Sequence, residues 1–168
     1  MKTQLVSSIT FEKKPENHGI VNKHLTRSAQ PWPEDLPWLK EDGVTDVINL
    51  REMHDPKCLY DEAGESAKLG MKYHHVPINH KNPTEKNVMA FLEIMKDVEK
   101  RNGKAHVHCL EGRDRTGLCA FIYKGTRGIG TIAENEAEWL KFGHNYQRYP
   151  NLMGWGKNLL KKLMTITK

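Results

Sequence analysis

His108-Cys109-Leu110-Glu111-Gly112-Arg113-Asp114-Arg115-Thr116-Gly117 decides the fold of this chain. Lys104-Ala105-His106-Val107-His108 ahead of it reads as a short buried strand, and Thr116 to Lys124 after it reads as a helix. A loop that leaves a strand and enters a helix gathers backbone N–H groups around one point. Those groups and the helix dipole favour an anion there.

The residue types in the loop say what that anion meets. Cys109 is a candidate nucleophile that works only as a thiolate. A free cysteine ionises near ~8.5, and a helix N-terminus or a nearby cation lowers that value. Arg115 offers a planar fork able to hold two phosphate oxygens. Gly112 takes backbone angles other residues resist, so the loop can curl around a phosphate. Thr116 carries a hydroxyl beside the cup that could stabilise the sulfur as a leaving group, and His108 could orient the loop through a ring N–H. Together they describe phosphoryl transfer to sulfur followed by hydrolysis of a phosphocysteine. Two rival readings stand beside this one. Cys109 as a buried strand-end cysteine with Arg115 as a surface cation is the bland one. A metal site of His106, His108 and Cys109 is the other, and it lacks a second ligand cluster with zinc spacing.

The run HCxxGxxRTG resembles the signature loop of the protein tyrosine phosphatase superfamily, at His108, Cys109, Gly112, Arg115, Thr116 and Gly117. The resemblance implies Cys109 as nucleophile, Arg115 as phosphate binder and Thr116 as an aid to hydrolysis. It also implies no metal or organic cofactor. Arg27-Ser28-Ala29-Gln30-Pro31 resembles an RSxQP segment of bacterial members that leads into their first core helix, and Gly43 to Glu52 resembles a central strand of the same branch. The resemblance covers about residues 25–130. The C-terminal helices, 131–166, match by pattern alone.

Members of the superfamily usually protonate the leaving oxygen with an aspartate on a separate loop upstream of the cysteine. Asn79-His80-Lys81-Asn82-Pro83-Thr84 resembles the Asp-His-x-x-Pro-Thr stretch of the phytase-like branch, but Asn79 stands where the acid belongs. An amide gives up no proton usefully at neutral pH. Asp114 is the first replacement expected, because a loop aspartate before the arginine resembles the proposed acid of a bacterial triple-specificity group and of the myotubularins. His80 is second and Glu85 third. For Asp114, a structural role is the competing reading.

Arg113 adds a second cation to the loop, and Lys81 and Lys86 flank the upstream one. These charges lean the substrate towards an inositol polyphosphate, as in a phytase-like enzyme, with a phosphoprotein as the alternative. A phosphate-binding pseudo-enzyme is a third reading. Leu110, Glu111, Gly112, Arg113, Asn79, His80 and Lys81 are the expected substrate contacts. Glu111 and Asp114 put negative charge in the same loop.

The rest of the chain sets the frame. Its 168 residues suit one domain spanning 1–168. The net charge of +5 with histidines neutral favours an anionic ligand. No aromatic-rich basic stripe points to nucleic acid, and no apolar run is long enough to span a bilayer. Met1 to Val6 lacks the apolar core of a signal peptide, so cytoplasm, or export with a trimmed signal, both stay open. Of the three cysteines, Cys58 and Cys119 read as unpaired. Residues 1 to about 30 read as irregular with one short strand. Helices are expected at 34–40, 61–69, from the Thr84 N-cap to about 101, from a Thr131–Glu134 capping box to about 142, and at 152–166. Strands are expected at 45–50 and 72–78. Strands alternating with helices predict an α/β fold: one domain with a central, mainly parallel sheet flanked by helices, tyrosine/dual-specificity phosphatase-like by resemblance.

Overall fold

The structure, a computed structural model, describes residues 13–53 and 60–166. Its sheet runs β1 (Gly19–Asn22), β2 (Leu25–Ser28), β5 (Ala105–His108), β3 (Asp46–Asn49) and β4 (Lys72–His75) in spatial order. Only the β1–β2 pair is antiparallel, so the sheet is mainly parallel, as expected. Cys58 lies outside the described residues.

The first two strands correct the sequence reading. Residues 19–28 form a hairpin pair where one short strand was expected, and Leu25–Ser28 is buried throughout. Alternation is hidden there because buried polar side chains find partners. Thr26 Oγ1 lies 2.8 Å from His106 Nδ1, and Ser28 Oγ lies 2.6 Å from His106 Nε2. Arg27 donates to Gly112 O at 2.9 Å.

Strand pleating splits the core over two faces. Val47 packs with Leu36 and Leu39 of α1 (Leu36–Glu41) and with Val44 and Met71. On the other face Ile48, Leu25, Ala105 and Val107 pack on Val88, Phe91, Leu92, Met95 and Val98. These last five are the apolar stripe of α3 (Glu85–Lys100), and burying each is worth roughly 1.5–3 kcal/mol. The remaining helices are α2 (Glu62–Lys68), α4 (Arg115–Thr126), α5 (Ile132–Lys141) and α6 (Leu152–Ile166). All residues of α4 from Arg115 to Tyr123 are buried, which makes it the central helix. Its neighbours α5 and α6 contribute Trp139, Leu152, Leu159 and Leu160 to the same core. Among the described residues no helix is long and apolar enough to cross a membrane.

This topology puts β5 mid-sheet between β2 and β3. Ser28 and Asn49 both sit level with His108. The chain therefore leaves three adjacent strands at one carboxyl edge, where open α/β sheets bind ligands.

Candidate active site

The signature loop, residues 109–114, bridges β5 to α4 and is fixed from below. Gly112 takes φ +71°, and a Cβ there would meet Ser28 C at 2.5 Å and Ala29 N at 2.6 Å, so only glycine fits without strain. Gln30 N donates to Leu110 O at 3.0 Å, and Gln30 Oε1 accepts from Arg51 at 2.7 Å. Arg27, buried beneath the loop, stacks on Phe142 at 4.0 Å while holding Gly112 O. Burial lowers its pKa to about 10, which leaves it charged at neutral pH. The Arg27–Pro31 stretch is thus a cradle for the loop.

His108 lies 3.1 Å from Cys109 O through Nδ1, with Nε2 2.6 Å from Glu62 Oε1. A carbonyl accepts and never donates, so Nδ1 carries a proton. Glu62 in turn accepts from Asn49 at 3.2 Å. His106, weighed as a metal ligand, has both ring nitrogens occupied by Thr26 and Ser28. Cys109 and Cys119 are free and buried, and burial pushes the Cys119 thiol up and keeps it protonated.

Above the loop lies a cleft of about 410 Å³ lined by Glu52, His80, Cys109, Leu110, Glu111, Asp114, Arg115, Asn145, Arg148 and Tyr149. Arg115 is only 6% exposed, and no carboxylate pairs with its guanidinium among the described residues. A buried, unpaired cation at a helix start is a strong anion site. Thr116 Oγ1 is buried beside it with no hydrogen-bond partner among the described residues.

Other expected contacts land elsewhere. Arg113 turns out of the cleft, 3.8 Å from Glu111 and packed near Gly143, while its carbonyl accepts from Trp139 Nε1 at 3.1 Å. Lys81 borders an adjoining hollow of about 220 Å³ with His80, Pro83, Arg148, Tyr149 and Trp155. Asn79 caps its own turn, accepting from the N–H groups of Lys81 and Asn82 at 2.9 Å, and donates to Glu52 at 3.3 Å. Glu85 pairs with Lys162 at 2.9 Å and, like the exposed Lys86, does not line the cleft.

Asp114 lines the cleft, yet it suits a proton donor poorly. Its Oδ1 sits 2.7 Å from His144 Nδ1 and accepts from Asn145 N at 2.9 Å. Burial opposes its charge, but those bonds outweigh it and hold the carboxyl below the ordinary range. The carboxylate is therefore ionised and committed to the α5–α6 connection. Burial first, and the Arg115 charge next, push the His80 imidazole below its usual value. It stacks on Tyr149 at 4.4 Å.

Asn145, Arg148, Tyr149 and Glu52 escaped the sequence reading. A basic-aromatic pair before Pro150 in a loop between helices was the available signal for the first three, since such loops carry function. Glu52 follows the strand that runs beside β5, so its position was readable only once strand order was known.

A family model described as "Polymorphic toxin system, DSP-PTPase phosphatase" matches residues 21–126. The "Beta-lactamase hydrolase-like protein" of Agrobacterium fabrum is 30% identical over 96 residues, covering 55% of this chain and 21% of that protein. The chain therefore spans only a minor part of that curated relative. Among solved structures, a DUF442 protein of Shewanella putrefaciens superposes with TM-score 0.72 at 25% identity, covering 94% of each chain. The catalytic core of the PP-IP phosphatase SIW14 from S. cerevisiae gives 0.71 at 18% identity, covering 92% of this chain and 94% of that one. TpbA of P. aeruginosa in complex with pTyr gives 0.70 at 18%, covering 88% and 90%. The last two show the shared fold alone. With the family match extending over more than half of its length, the chain belongs to the DSP-PTPase phosphatases of polymorphic toxin systems, within the protein tyrosine phosphatase superfamily.

Proposed function

We propose that this phosphatase hydrolyses phosphate monoesters through a phosphocysteine on Cys109. The observation that carries the reading is the unpaired, nearly buried Arg115 guanidinium on the same cleft as Cys109. Arg115 holds two phosphate oxygens and sets phosphorus in front of the sulfur. The α4 N-terminus and the loop N–H groups steady the charge that develops on the transferring group. Thr116 Oγ1, buried and free to donate, stabilises the thiolate when the phosphocysteine breaks down. His108 fixes the carbonyl of Cys109 and so the loop's shape.

For the substrate, an inositol polyphosphate or related small polyanion is the first reading. Its support shifts from Arg113 to Arg148, which stands in both the cleft and the adjoining hollow, with Lys81 beyond it. Arg115, Arg148 and Lys81 form a path of cations able to hold more than one phosphate. SIW14, a PP-IP phosphatase, shares the fold. The carboxylates of Glu111 and Asp114 lie on the same cleft, so ring phosphates other than the one being cleaved are held on the Arg148 and Lys81 side.

A phosphotyrosine peptide is the second reading. It is favoured by the hollow itself, where Pro83, Tyr149, Pro150, Leu152 and Trp155 offer an apolar seat for a neighbouring side chain. Phosphate release from inositol hexakisphosphate and from a phosphotyrosine peptide, measured side by side with Cys109→Ser as control, separates them. We expect release from the inositol substrate that vanishes in Cys109→Ser. Release from the peptide alone would replace the substrate and keep the mechanism.

A further inference from the structure

The phosphocysteine step leaves one requirement unmet. An ester oxygen departing from phosphorus needs a proton, and Asn79 cannot supply it. The cleft offers few other donors. Asp114 is held ionised by His144 and Asn145. His80 is held neutral by burial and by Arg115. Burial raises the pKa of Tyr149, which makes its phenol a weaker acid still. Glu111 has a side chain 61% exposed and faces Arg113 at 3.8 Å.

Glu52 differs from all of these. It lines the cleft with Cys109 and Arg115, it is half-buried, and no cation pairs with it among the described residues. Its one hydrogen bond there comes from Asn79 Nδ2 to Oε2 at 3.3 Å. The amide that stands at the expected acid position thus touches a carboxyl arriving from the end of the neighbouring strand β3. Asn79 is itself anchored by the N–H groups of Lys81 and Asn82 at its Oδ1, so its Nδ2 is aimed and not free to turn.

We propose that Glu52 is the proton donor to the leaving group, with Asn79 as the residue that positions it. The proposal rests on the phosphocysteine reading above. In the first step the Cys109 sulfur bonds to phosphorus while the bond from phosphorus to the ester oxygen breaks. The electron pair leaves on that oxygen, and the Glu52 carboxyl proton moves onto it, releasing an alcohol. In the second step the Glu52 carboxylate takes a proton from water as the water oxygen bonds to phosphorus. The phosphorus–sulfur bond breaks, its electron pair returns to Cys109 as thiolate, and Glu52 is again protonated.

A proton donor matters most when the leaving group is poor, whereas a binding residue matters equally for all. The test is kcat/KM for the full chain on aryl phosphates running from para-nitrophenyl to unsubstituted phenyl. Glu52→Gln is expected to lower the phenyl value about 100-fold, the scale of one proton transfer, and the para-nitrophenyl value less than about 10-fold. Asn79→Ala, which removes only the positioning amide, is expected to give the same graded pattern at smaller size. It also serves if Glu52→Gln fails to fold. Equal slowing across the series, no slowing, or a graded loss in Asp114→Asn instead would overturn the assignment while leaving the nucleophile in place. Turnover that survives Cys109→Ser would remove the phosphocysteine reading and this proposal with it.

Discussion

At the scale of single residues the cleft separates chemistry from support. Asp114 belongs to support. Its carboxylate ties the signature loop to His144 and Asn145, and through them to Arg148 and Tyr149. Asp114→Asn should therefore slow good and poor leaving groups alike, by about 10-fold, through misplacement of the cleft wall. Steady-state kinetics on two aryl phosphates checks this. A loss confined to the poor leaving group would return the acid role to Asp114. Arg115→Lys should raise KM and lower kcat together, since a point charge cannot replace the planar fork. That Cys109, Gly112 and Arg115 belong to one loop was readable from the sequence, because that reading depends on residue identity and spacing. The place of Glu52 and Arg148 was not, because each reaches the cleft from an element with no motif of its own.

At the scale of elements, α5 reaches the site through one indole. Trp139 covers Gly117 and donates to Arg113 O. A Cβ at position 117 would run into that ring, so Gly117→Ala should displace Trp139, loosen the loop and cost roughly 1–3 kcal/mol. Chemical denaturation with tryptophan fluorescence would show both effects, and an unchanged midpoint and spectrum would contradict the packing described. The helices were readable in advance where their signals are local. Thr84 accepts from Asn87 N, and the Thr131–Glu134 capping box forms as expected. The β1–β2 pair was not readable, because Thr26, Arg27 and Ser28 are buried by partners 78 or more residues away and show no apolar alternation.

At the scale of the whole molecule, two groups buried in the sheet make stability follow pH. Burial, then the charges of His108 and His18, hold His106 well below the usual histidine value of 6.5. The unfolded chain takes up that proton and the folded chain does not, so stability falls as pH drops below 6.5. Asp46 adds a second loss further down. Burial pushes its carboxyl up, but bonds from His74, Thr45 and Arg101 outweigh it and lower the pKa to about 2. Its contribution is full above 3.8 and fades between there and about 2. Thermal melting across pH should show Tm declining first below 6.5 and again below 3.8, and Asp46→Asn should flatten only the lower limb. A Tm constant from neutral pH down to 5 would contradict the buried neutral His106, at the scale of roughly 1 kcal/mol per pH unit. His106 ties β5 to β2, and Asp46 ties β3 to β4 and to Arg101 at the end of α3, so acid should reach the signature loop through the sheet beneath it.

The proposed turnover rests on sulfur attacking phosphorus. Its most direct test is to mix the chain with excess para-nitrophenyl phosphate, quench in acid within the first turnovers, and map the digested protein by mass. A phosphate on the peptide bearing Cys109, gone in Cys109→Ser and longer-lived in Thr116→Ala, is the predicted result. Steady turnover with no phosphate on Cys109 in either the wild type or Thr116→Ala would contradict it.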